Sequence, residues 1–123
     1  MAGIVAGTLN GVAKQANIVP VKVLNDSGSG TNSGIITGIQ WAVADAQANN
    51  RLTKSVALAG FGGSYSAAVN SAVNAASSAG LLFIVAAGNS AVSNKSIFIF
   101  HRLVMCMAIA IGFWAPCLYA DLS

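Results

Sequence analysis

An unbroken apolar run covers residues 81–87 and is followed at once by Gly88 and Asn89. A run of this kind is typical of a strand that is buried on both faces of a parallel sheet. Because glycine permits a tight turn, the pattern predicts that the strand ends by presenting Asn89. Ligands bind at the carboxyl ends of strands in open α/β sheets, so Asn89 is either a hydrogen-bond donor to a substrate oxygen or an ordinary turn residue.

The same alternation of strand and helix patterns precedes this run. Residues 16–24 are rich in β-branched side chains and predict a strand, although Pro20 weakens that prediction because it cannot donate to a ladder. The turn-forming residues 25–32 predict a loop. A helix is then expected from a cap at Asn32 or Ser33 to about residue 49, since apolar side chains recur at helical spacing.

A second unit follows with the same order of elements. Residues 55–59 predict a short strand and residues 60–64 a loop. Ser66 is a suitable N-cap for a second helix, and Gly80 is well placed to end it. Residues 16–89 therefore predict a βαβαβ core, which implies an α/β fold with parallel strands and right-handed crossovers. The small residues 2–9 contain two glycines, which disfavours a free-standing helix.

The character of the chain changes after residue 93. Residues 103–120 contain no charged side chain, which meets the length rule for a membrane-spanning helix. Trp114 and Tyr119 lie near one end, as in an interfacial belt, and Lys95 and Arg102 would hold the other end in the cytoplasm. A membrane span through residues 97–120 is possible but not favoured over an accidental apolar stretch, and a buried core helix is the third alternative.

Composition excludes several function classes. Hydrophobic residues make up 55% of the 123 residues and charged residues only 7%, so the surface is short of charge. The net charge of +3 comes from scattered residues, which does not support nucleic-acid binding. Cys106 and Cys117 lack metal-ligand spacing, and no metal or other cofactor is expected. The beginning of the sequence has no basic segment and too short an apolar run for a secretory signal, and the compartment stays unassigned.

Local chemistry does not indicate a complete active site. The glycine loop around Gly28 and Gly30 follows a strand and precedes a helix, but the third glycine of a dinucleotide fingerprint is replaced by Ser33. The only histidine is His101, beside the apolar tail, and the three acidic residues are far apart in sequence. No nucleophile and base can therefore be paired from the sequence alone.

Several segments in order resemble subtilisin-like serine proteases (subtilases, peptidase family S8), and especially their fungal proteinase K-like branch. The resemblance covers roughly residues 5–91. It rests on the sequences Gly-Val-Ala at 11–13, Val-Pro-Val-Lys-Val-Leu at 19–24, Asp-Ser-Gly-Ser-Gly at 26–30, Ile-Ile-Thr-Gly-Ile-Gln-Trp-Ala at 35–42, Gly-Gly-Ser-Tyr-Ser-Ala-Ala-Val-Asn-Ser-Ala at 62–72 and Ala-Ala-Gly-Asn at 86–89. It implies a partial subtilisin-like sheet, which belongs to a three-layer α/β/α fold in the intact family.

The resemblance also implies roles for particular residues. Asn89 would donate its side-chain amide to the oxyanion of the tetrahedral intermediate. Two glycine-containing segments would form the walls of a channel for an extended peptide or protein substrate. The substrate-binding residues implied are Gly28, Ser29 and Gly30 in one wall, Gly60, Phe61 and Gly62 in the other, and Ala87 and Gly88 beside Asn89. Family members usually have Ser-Leu-Gly-Gly or Ser-Met-Gly-Gly where this chain has Gly60-Phe61-Gly62-Gly63, so that wall differs in shape.

Departures from the family limit the expected activity. Met1 aligns with the catalytic histidine, the catalytic aspartate would precede residue 1, and no Gly-Thr-Ser-Met-Ala nucleophile motif is present. We therefore expect a serine endopeptidase by resemblance that is inactive in this form. The alternative is a non-catalytic peptide-binding or membrane-tethered fragment. Residues 1–91 are interpreted as a partial peptidase domain and 92–123 as a divergent tail, either a translated intron or a transmembrane segment. Unpaired strand edges predict poor solubility.

Overall fold

The computed structural model describes residues 2–86 and, for the backbone alone, residues 118–121. Four strands form one sheet in the order β1-β4-β2-β3, with two long helices packed against it. Elements in chain order are α1 (Ala2–Ala6), β1 (Asn17–Pro20), α2 (Asn32–Ala48), a 3-10 turn (Leu52–Lys54), β2 (Ser55–Ala59), α3 (Ala67–Ala79), β3 (Leu82–Val85) and β4 (Leu118–Asp121). This combination of helices and a partly parallel sheet is the expected α/β class.

Both long helices begin at polar caps, close to where the sequence predicts them. The Ser66 hydroxyl accepts a hydrogen bond from the amide of Val69, and Gly80 ends α3 with φ of 111°, as expected. Helix α2 is capped one residue earlier than predicted, because the Thr31 hydroxyl oxygen accepts the Gly34 amide at 3.1 Å. The two loops before these helices are therefore tied to the helices that follow.

The core lies between the two helices and one face of the sheet. It is built mainly from small and β-branched residues, which lets the helices approach the sheet closely. Its buried members are Ile35, Ile39, Ala42 and Ala46 from α2, Val69, Val73 and Ala76 from α3, Ala57 from β2, Phe83 from β3, and Leu81, which directly precedes β3. Ala57 and Phe83 are register partners, so they lie on the same helix-facing side of the sheet.

The predicted strand at 81–87 is only partly buried. Leu81 and Phe83 are buried, whereas Leu82 is 44% exposed. Strand β3 lies at an edge of the sheet, and α2 and α3 pack against the face that carries Phe83. The prediction that both faces of this strand are buried is therefore wrong for the described part of the chain.

Sheet topology confirms one parallel unit and adds a strand that the sequence did not indicate. Strands β2 and β3 pair in parallel through the α3 crossover. Strands β1 and β2 do not pair with each other, because β4 lies between them and is antiparallel to both. Residues 118–120, at the end of the predicted apolar run, are thus extended in a strand, and the rest of that run lies outside the described residues. Within the described residues, no helix is long and apolar enough to cross a membrane.

The small residues near the start of the chain do form a short helix, α1. Its carbonyl groups are used by the segment that follows: the Val12 amide donates to Ile4 O at 3.2 Å and the Ala13 amide donates to Val5 O at 2.8 Å. The helix is thus supported by its own following loop rather than free-standing. That explains how it forms despite its glycine content.

Candidate functional site

A groove opens between the loop after β1 and the loop after β2. Strands β1 and β2 run in the same direction, since both are antiparallel to β4, so their carboxyl ends lie at the same edge of the sheet. The groove has a volume of about 420 Å³. Gly28, Ser29 and Gly30 line one side, and Phe61 and Gly62 line the other. The structure thus brings together two segments that the sequence separates by thirty residues.

A single asparagine side chain organises the first wall. Asn25 Oδ1 accepts hydrogen bonds from the Ser27 amide at 3.1 Å, the Ser27 hydroxyl at 2.7 Å and the Ser29 amide at 2.9 Å. The backbone closes the same turn, because the Asn25 amide donates to Ser29 O at 2.8 Å. Gly28 takes a positive φ of 77°, which glycine adopts without steric cost. The wall is therefore a fixed turn.

Gly30 brings the first wall against residues 23 and 24, in the segment that follows β1. A Cβ added at Gly30 would lie 2.5 Å from Val23 O and 2.7 Å from Leu24 Cδ2. Any side chain at this position would push the loop away from its support. The close approach requires glycine and fixes the position of the wall relative to the sheet.

The second wall combines an anchored ring with open glycine backbone. Phe61 is partly buried and packs against the core. A Cβ added at Gly62 would meet nothing within 4 Å, so space is open beside that residue. Tyr65 also lines the groove and is 58% exposed. Gly60, which the sequence assigns to this wall, is not among the lining residues.

Among the described residues that line the groove, none has a charged side chain. Leu24, Ile35 and Phe61 supply apolar surface, and Asn32 and Ser64 supply polar groups. The nearest ion pair on the first loop is at its outer side, where Lys22 Nζ lies 2.8 Å from Asp26 Oδ1. The hydrogen bond from Lys22 lowers the pKa of the Asp26 carboxyl, and the Lys22 charge adds to that effect. Such a groove suits an uncharged, partly apolar ligand.

The profile of the Subtilase family matches residues 1–111 of this sequence. The chain belongs to the subtilase family. Subtilisin-like protease 3 of Arthroderma benhamiae is 54% identical over 88 residues, which cover 72% of this chain and 22% of that protein. Subtilisin-like protease 5 of Arthroderma otae is 45% identical over 96 residues, which cover 78% of this chain and 24% of that protein. This subtilase chain therefore spans less than a quarter of the length of these fungal relatives.

A solved structure confirms the fold. The crystal structure of a cold-adapted subtilisin-like serine proteinase superposes with a TM-score of 0.71 at 44% identity, over 78% of this chain and 33% of that one. The recognition of the subtilase family and of its α/β fold from sequence motifs is thus confirmed. The roles of individual residues in this subtilase chain stay predictions.

The structure describes only part of the predicted subtilase site. Ala87, Gly88 and Asn89 lie outside the described residues, and the last described link toward them is the Ala86 amide, which donates to Ala59 O at 3.2 Å. Among the described residues, no group of three or more His, Cys, Asp or Glu side chains could hold a metal ion.

Sequence reasoning did not select several residues that line the groove. These are Leu24, Asn32, Ile35, Gly63, Ser64 and Tyr65. The only feature of the sequence that points to these residues is their position near the two glycine segments, 28–30 and 60–62. Which of them faces the groove depends on how β1, α2 and the second loop pack together.

Proposed function

We propose that this chain carries the substrate-binding groove of a subtilisin-like serine endopeptidase. The observation that carries the proposal is the pair of glycine walls, Gly28 to Gly30 and Phe61 to Gly62, on opposite sides of one groove whose described lining has no charged side chain. Membership of the subtilase family supports proteolysis as the activity of the longer protein. The substrate would be an extended stretch of peptide or protein.

The physical argument rests on the backbone of the walls. No backbone hydrogen bond among the described residues uses the peptide groups of Gly30 or Gly62, and we propose that these groups pair with the substrate. An extended peptide can pair with such groups as an added strand, and glycine lets the two backbones approach closely. The apolar surface of Leu24, Ile35 and Phe61 would accept an apolar substrate side chain.

Catalysis by this chain alone is not expected. Met1 aligns with the family's catalytic histidine, and neither the nucleophile motif nor the catalytic aspartate motif is found in the sequence. Without a nucleophile and a base, an acyl-enzyme cannot form. Asn89 is proposed as the oxyanion donor, with Ala87 and Gly88 beside it. Removing such a donor from a subtilisin costs about 3–4 kcal/mol of transition-state stabilisation.

The extent of the peptidase segment is part of the proposal. We assign residues 1–91 to the partial peptidase domain and residues 92–123 to a divergent tail. The family profile extends to residue 111, whereas the two fungal relatives match over 88 and 96 residues. A transcript that reads continuously through residues 92 and 93 at high coverage would contradict the hypothesis that the tail is translated intron.

Labelling with a fluorophosphonate probe tests the absence of a nucleophile. The purified chain should remain unlabelled under conditions in which an intact fungal subtilase is labelled completely. A denatured sample of this chain controls for non-specific reaction. Stoichiometric covalent labelling of the folded chain on a serine would overturn the assignment.

Narrowing the groove tests the substrate-binding role. Gly62→Leu places a side chain in open space beside the second wall, so the fold should be retained. We expect the Kd for a fluorescein-labelled Phe-Ala-Ala-Phe peptide, measured by anisotropy, to rise about tenfold or more, equivalent to about 1.4 kcal/mol. Gly3→Leu is the matched control, since a Cβ at Gly3 also meets nothing within 4 Å and Gly3 lies in α1. Equal affinities for the two variants would refute the binding role.

The alternative function is peptide binding without catalysis. The described lining of both walls includes no residue that we assign to catalysis, and this is the observation in favour of binding without catalysis. Micromolar or tighter peptide binding by the unlabelled chain would support the alternative. Tethering to a membrane would depend on residues 97–120, of which the structure describes only 118–120.

A further inference from the structure

The loop that carries the first wall of the groove begins with the sequence Asn-Asp-Ser at residues 25–27. Asparagine, then any residue except proline, then serine or threonine is the acceptor sequence for N-linked glycosylation. In this chain one other asparagine, Asn94, begins such a triplet, and it lies outside the described residues. A motif of three residues also occurs by chance, so the fold around Asn25 decides whether a sugar can be held there.

The whole triplet is accessible to solvent. Asn25, Asp26 and Ser27 are all exposed, and they lie in the turn between β1 and α2 rather than in either element. The Asp26 side chain is 93% exposed even though it pairs with Lys22. N-linked glycans are bulky and stay on the protein surface, so an exposed turn is a place where the fold has room for one.

The two polar atoms of the Asn25 side chain have separate tasks. Oδ1 accepts all three hydrogen bonds that close the turn, from the Ser27 amide at 3.1 Å, the Ser27 hydroxyl at 2.7 Å and the Ser29 amide at 2.9 Å. Among the described residues, no hydrogen bond uses Asn25 Nδ2. A sugar on Nδ2 leaves the side-chain carbonyl unchanged, so Oδ1 can go on accepting the bonds that hold the turn.

Other described asparagines lack this combination of sequence, exposure and an unused nitrogen. Asn49 is exposed, but its Nδ2 donates to Asp45 O at 2.8 Å and no hydroxyl residue lies two positions later. Asn32 is exposed beside the groove, but the third residue of its triplet is Gly34. Asn70 is followed by Ser71 and an alanine, and its Oδ1 is buried.

We propose that Asn25 is an N-glycosylation site that takes an oligosaccharide from a lipid pyrophosphate donor. A bond forms between Asn25 Nδ2 and the anomeric carbon of the first sugar, while the bond between that carbon and the pyrophosphate oxygen breaks. The lipid pyrophosphate leaves with the electron pair, and Nδ2 gives one proton to a base of the transferase. No oxidant or reductant takes part. The donor faces the lumen of the secretory pathway, so the proposal applies to chains that enter it.

The glycan would stand beside the substrate groove without filling it. Leu24 and the residues Gly28 to Gly30 line the groove, whereas Asn25 is not among the lining residues. Its attachment atom therefore belongs to the outer side of the first wall. The proposal concerns modification of the surface and is independent of peptide binding and of proteolysis.

Translation of the whole chain behind a cleavable signal peptide, in the presence of microsomes, tests the site. Every chain carries Asn94→Gln, so that Asn25 begins the only acceptor triplet. We expect one slower band on a gel, which endoglycosidase H returns to the unmodified position. Release of the glycan by PNGase F in heavy-oxygen water should leave a labelled aspartate at position 25, which mass spectrometry locates.

Variants of the triplet separate glycosylation from other changes in mobility. Asn25→Asp and Ser27→Ala should each abolish the slower band, whereas Ser27→Thr should keep it because threonine supplies the same hydroxyl. Asn32→Gln is the matched control, since it alters a nearby exposed asparagine outside any triplet, and it should leave the band unchanged. A chain that loses its signal peptide and is protected from added protease, yet shows no slower band, would overturn the proposal. A slower band that survives Ser27→Ala would overturn it as well.

Thermal unfolding tests whether the native turn tolerates the sugar. Endoglycosidase H leaves a single sugar on Asn25 Nδ2, and the trimmed chain should have the same Tm as the unmodified chain because Oδ1 still closes the turn. Asn25→Ala, which removes Oδ1 as well, provides the reference for a turn without its acceptor and should have a lower Tm. A trimmed chain with a Tm as low as that of Asn25→Ala would refute Asn25 as a site in the native fold.

Discussion

Individual side chains hold the groove in shape. The Asn25 side-chain oxygen Oδ1 accepts three hydrogen bonds within its own loop, and Gly30 allows that loop to lie against Val23 and Leu24. We assign no catalytic role to Asn25 or Gly30. Their effect is to present the backbone of the first wall at a fixed position opposite Gly62, as substrate pairing would require.

The charge on the first loop gives a pH-dependent prediction. Lys22 lowers the pKa of Asp26, so the stabilisation from this pair is present above the unfolded-state pKa and is lost as the pH falls through the lower folded-state value. Lys22→Met should therefore raise the Asp26 titration midpoint, measured by NMR of the side-chain carboxyl carbon. High salt should reduce the difference in Asp26 midpoint between the parent chain and Lys22→Met, because the Lys22 and Asp26 side chains are both exposed. An unchanged midpoint in Lys22→Met would contradict this assignment.

Packing between elements depends on one glycine in α2. A Cβ added at Gly38 would lie 2.4 Å from Val23 Cγ1 and 3.3 Å from Val21 Cγ1, so α2 lies directly against the segment that follows β1. This contact links the helix to the chain that leads into the first wall of the groove. The separation between α2 and that segment is therefore set by the absence of a side chain at Gly38.

Gly38→Ala should lower the free energy of unfolding. Overpacking costs about 1–3 kcal/mol, and the better helix propensity of alanine returns about 1 kcal/mol, which leaves a net loss of about 1 kcal/mol. Urea unfolding measures this loss of unfolding free energy. Gln40→Ala is the control, because Gln40 is an exposed residue of the same helix. Val23→Ala removes the atom that the new methyl group meets, so Gly38→Ala should cost less in that background. Equal cost in both backgrounds would exclude this contact as the cause.

A partly buried ion pair connects the end of α2 to the start of β2. The Arg51 guanidinium donates to Asp45, and the Arg51 carbonyl accepts the Ser55 hydroxyl at 2.7 Å. The Asn49 side-chain amide also donates to Asp45 O at 2.8 Å. These contacts fix the turn between the two elements and so contribute to the placement of β2 under the helices.

Asp45→Asn keeps the shape of the side chain but replaces the carboxylate that pairs with Arg51 by a neutral amide. Exposed pairs contribute about 0–1 kcal/mol, whereas breaking a fully buried pair costs about 3–5 kcal/mol, so a loss of about 2 kcal/mol is expected here. Urea unfolding at neutral pH provides the measurement. The matched control is Asp26→Asn, which breaks an exposed pair and should shift the unfolding curve much less than Asp45→Asn does. If both variants lose a similar amount of unfolding free energy, the partly buried Asp45 pair contributes no more to stability than the exposed Asp26 pair.

At the scale of the whole molecule, apolar surface is exposed away from the groove. Leu9 is 87% exposed and Val12 is 90% exposed, and both follow the short helix α1. On the sheet, Leu82 in the edge strand β3 is also exposed. Exposed apolar residues and an open strand edge favour association between molecules, consistent with the poor solubility that the sequence predicts.

Replacing the two most exposed apolar residues should improve solubility without a loss of stability. The variant Leu9→Lys with Val12→Lys removes apolar surface that makes little packing contribution, so its Tm should remain within a few degrees of the parent chain. The soluble concentration after centrifugation should rise. Replacing the buried Val73 by lysine is the contrasting variant and should abolish cooperative unfolding. If the solubility of the double variant does not improve, the poor solubility is caused by other surfaces of the chain.

Much of the fold could be predicted from sequence because its signals are local. The strand at 55–59, the Ser66 cap and the Gly80 helix end depend on short-range hydrogen bonds and backbone preferences, and all are found in the structure. The family could be recognised because its motifs occur in order along the chain. Asn89 was also selected by a local motif, but its role stays a prediction because it lies outside the described residues.

Sequence by itself determined the β2-α3-β3 unit, the glycine turns and the family, since each depends on residues near one another in the chain. Tertiary structure alone decided three features: the exposure of Leu82 in an edge strand, the insertion of β4 between β1 and β2, and the groove shared by Gly30 and Gly62. These features depend on which distant segments pair and pack. Strand pairing is formed by backbone groups that every residue except proline carries in full, so a side-chain pattern alone does not identify which distant strand is the partner.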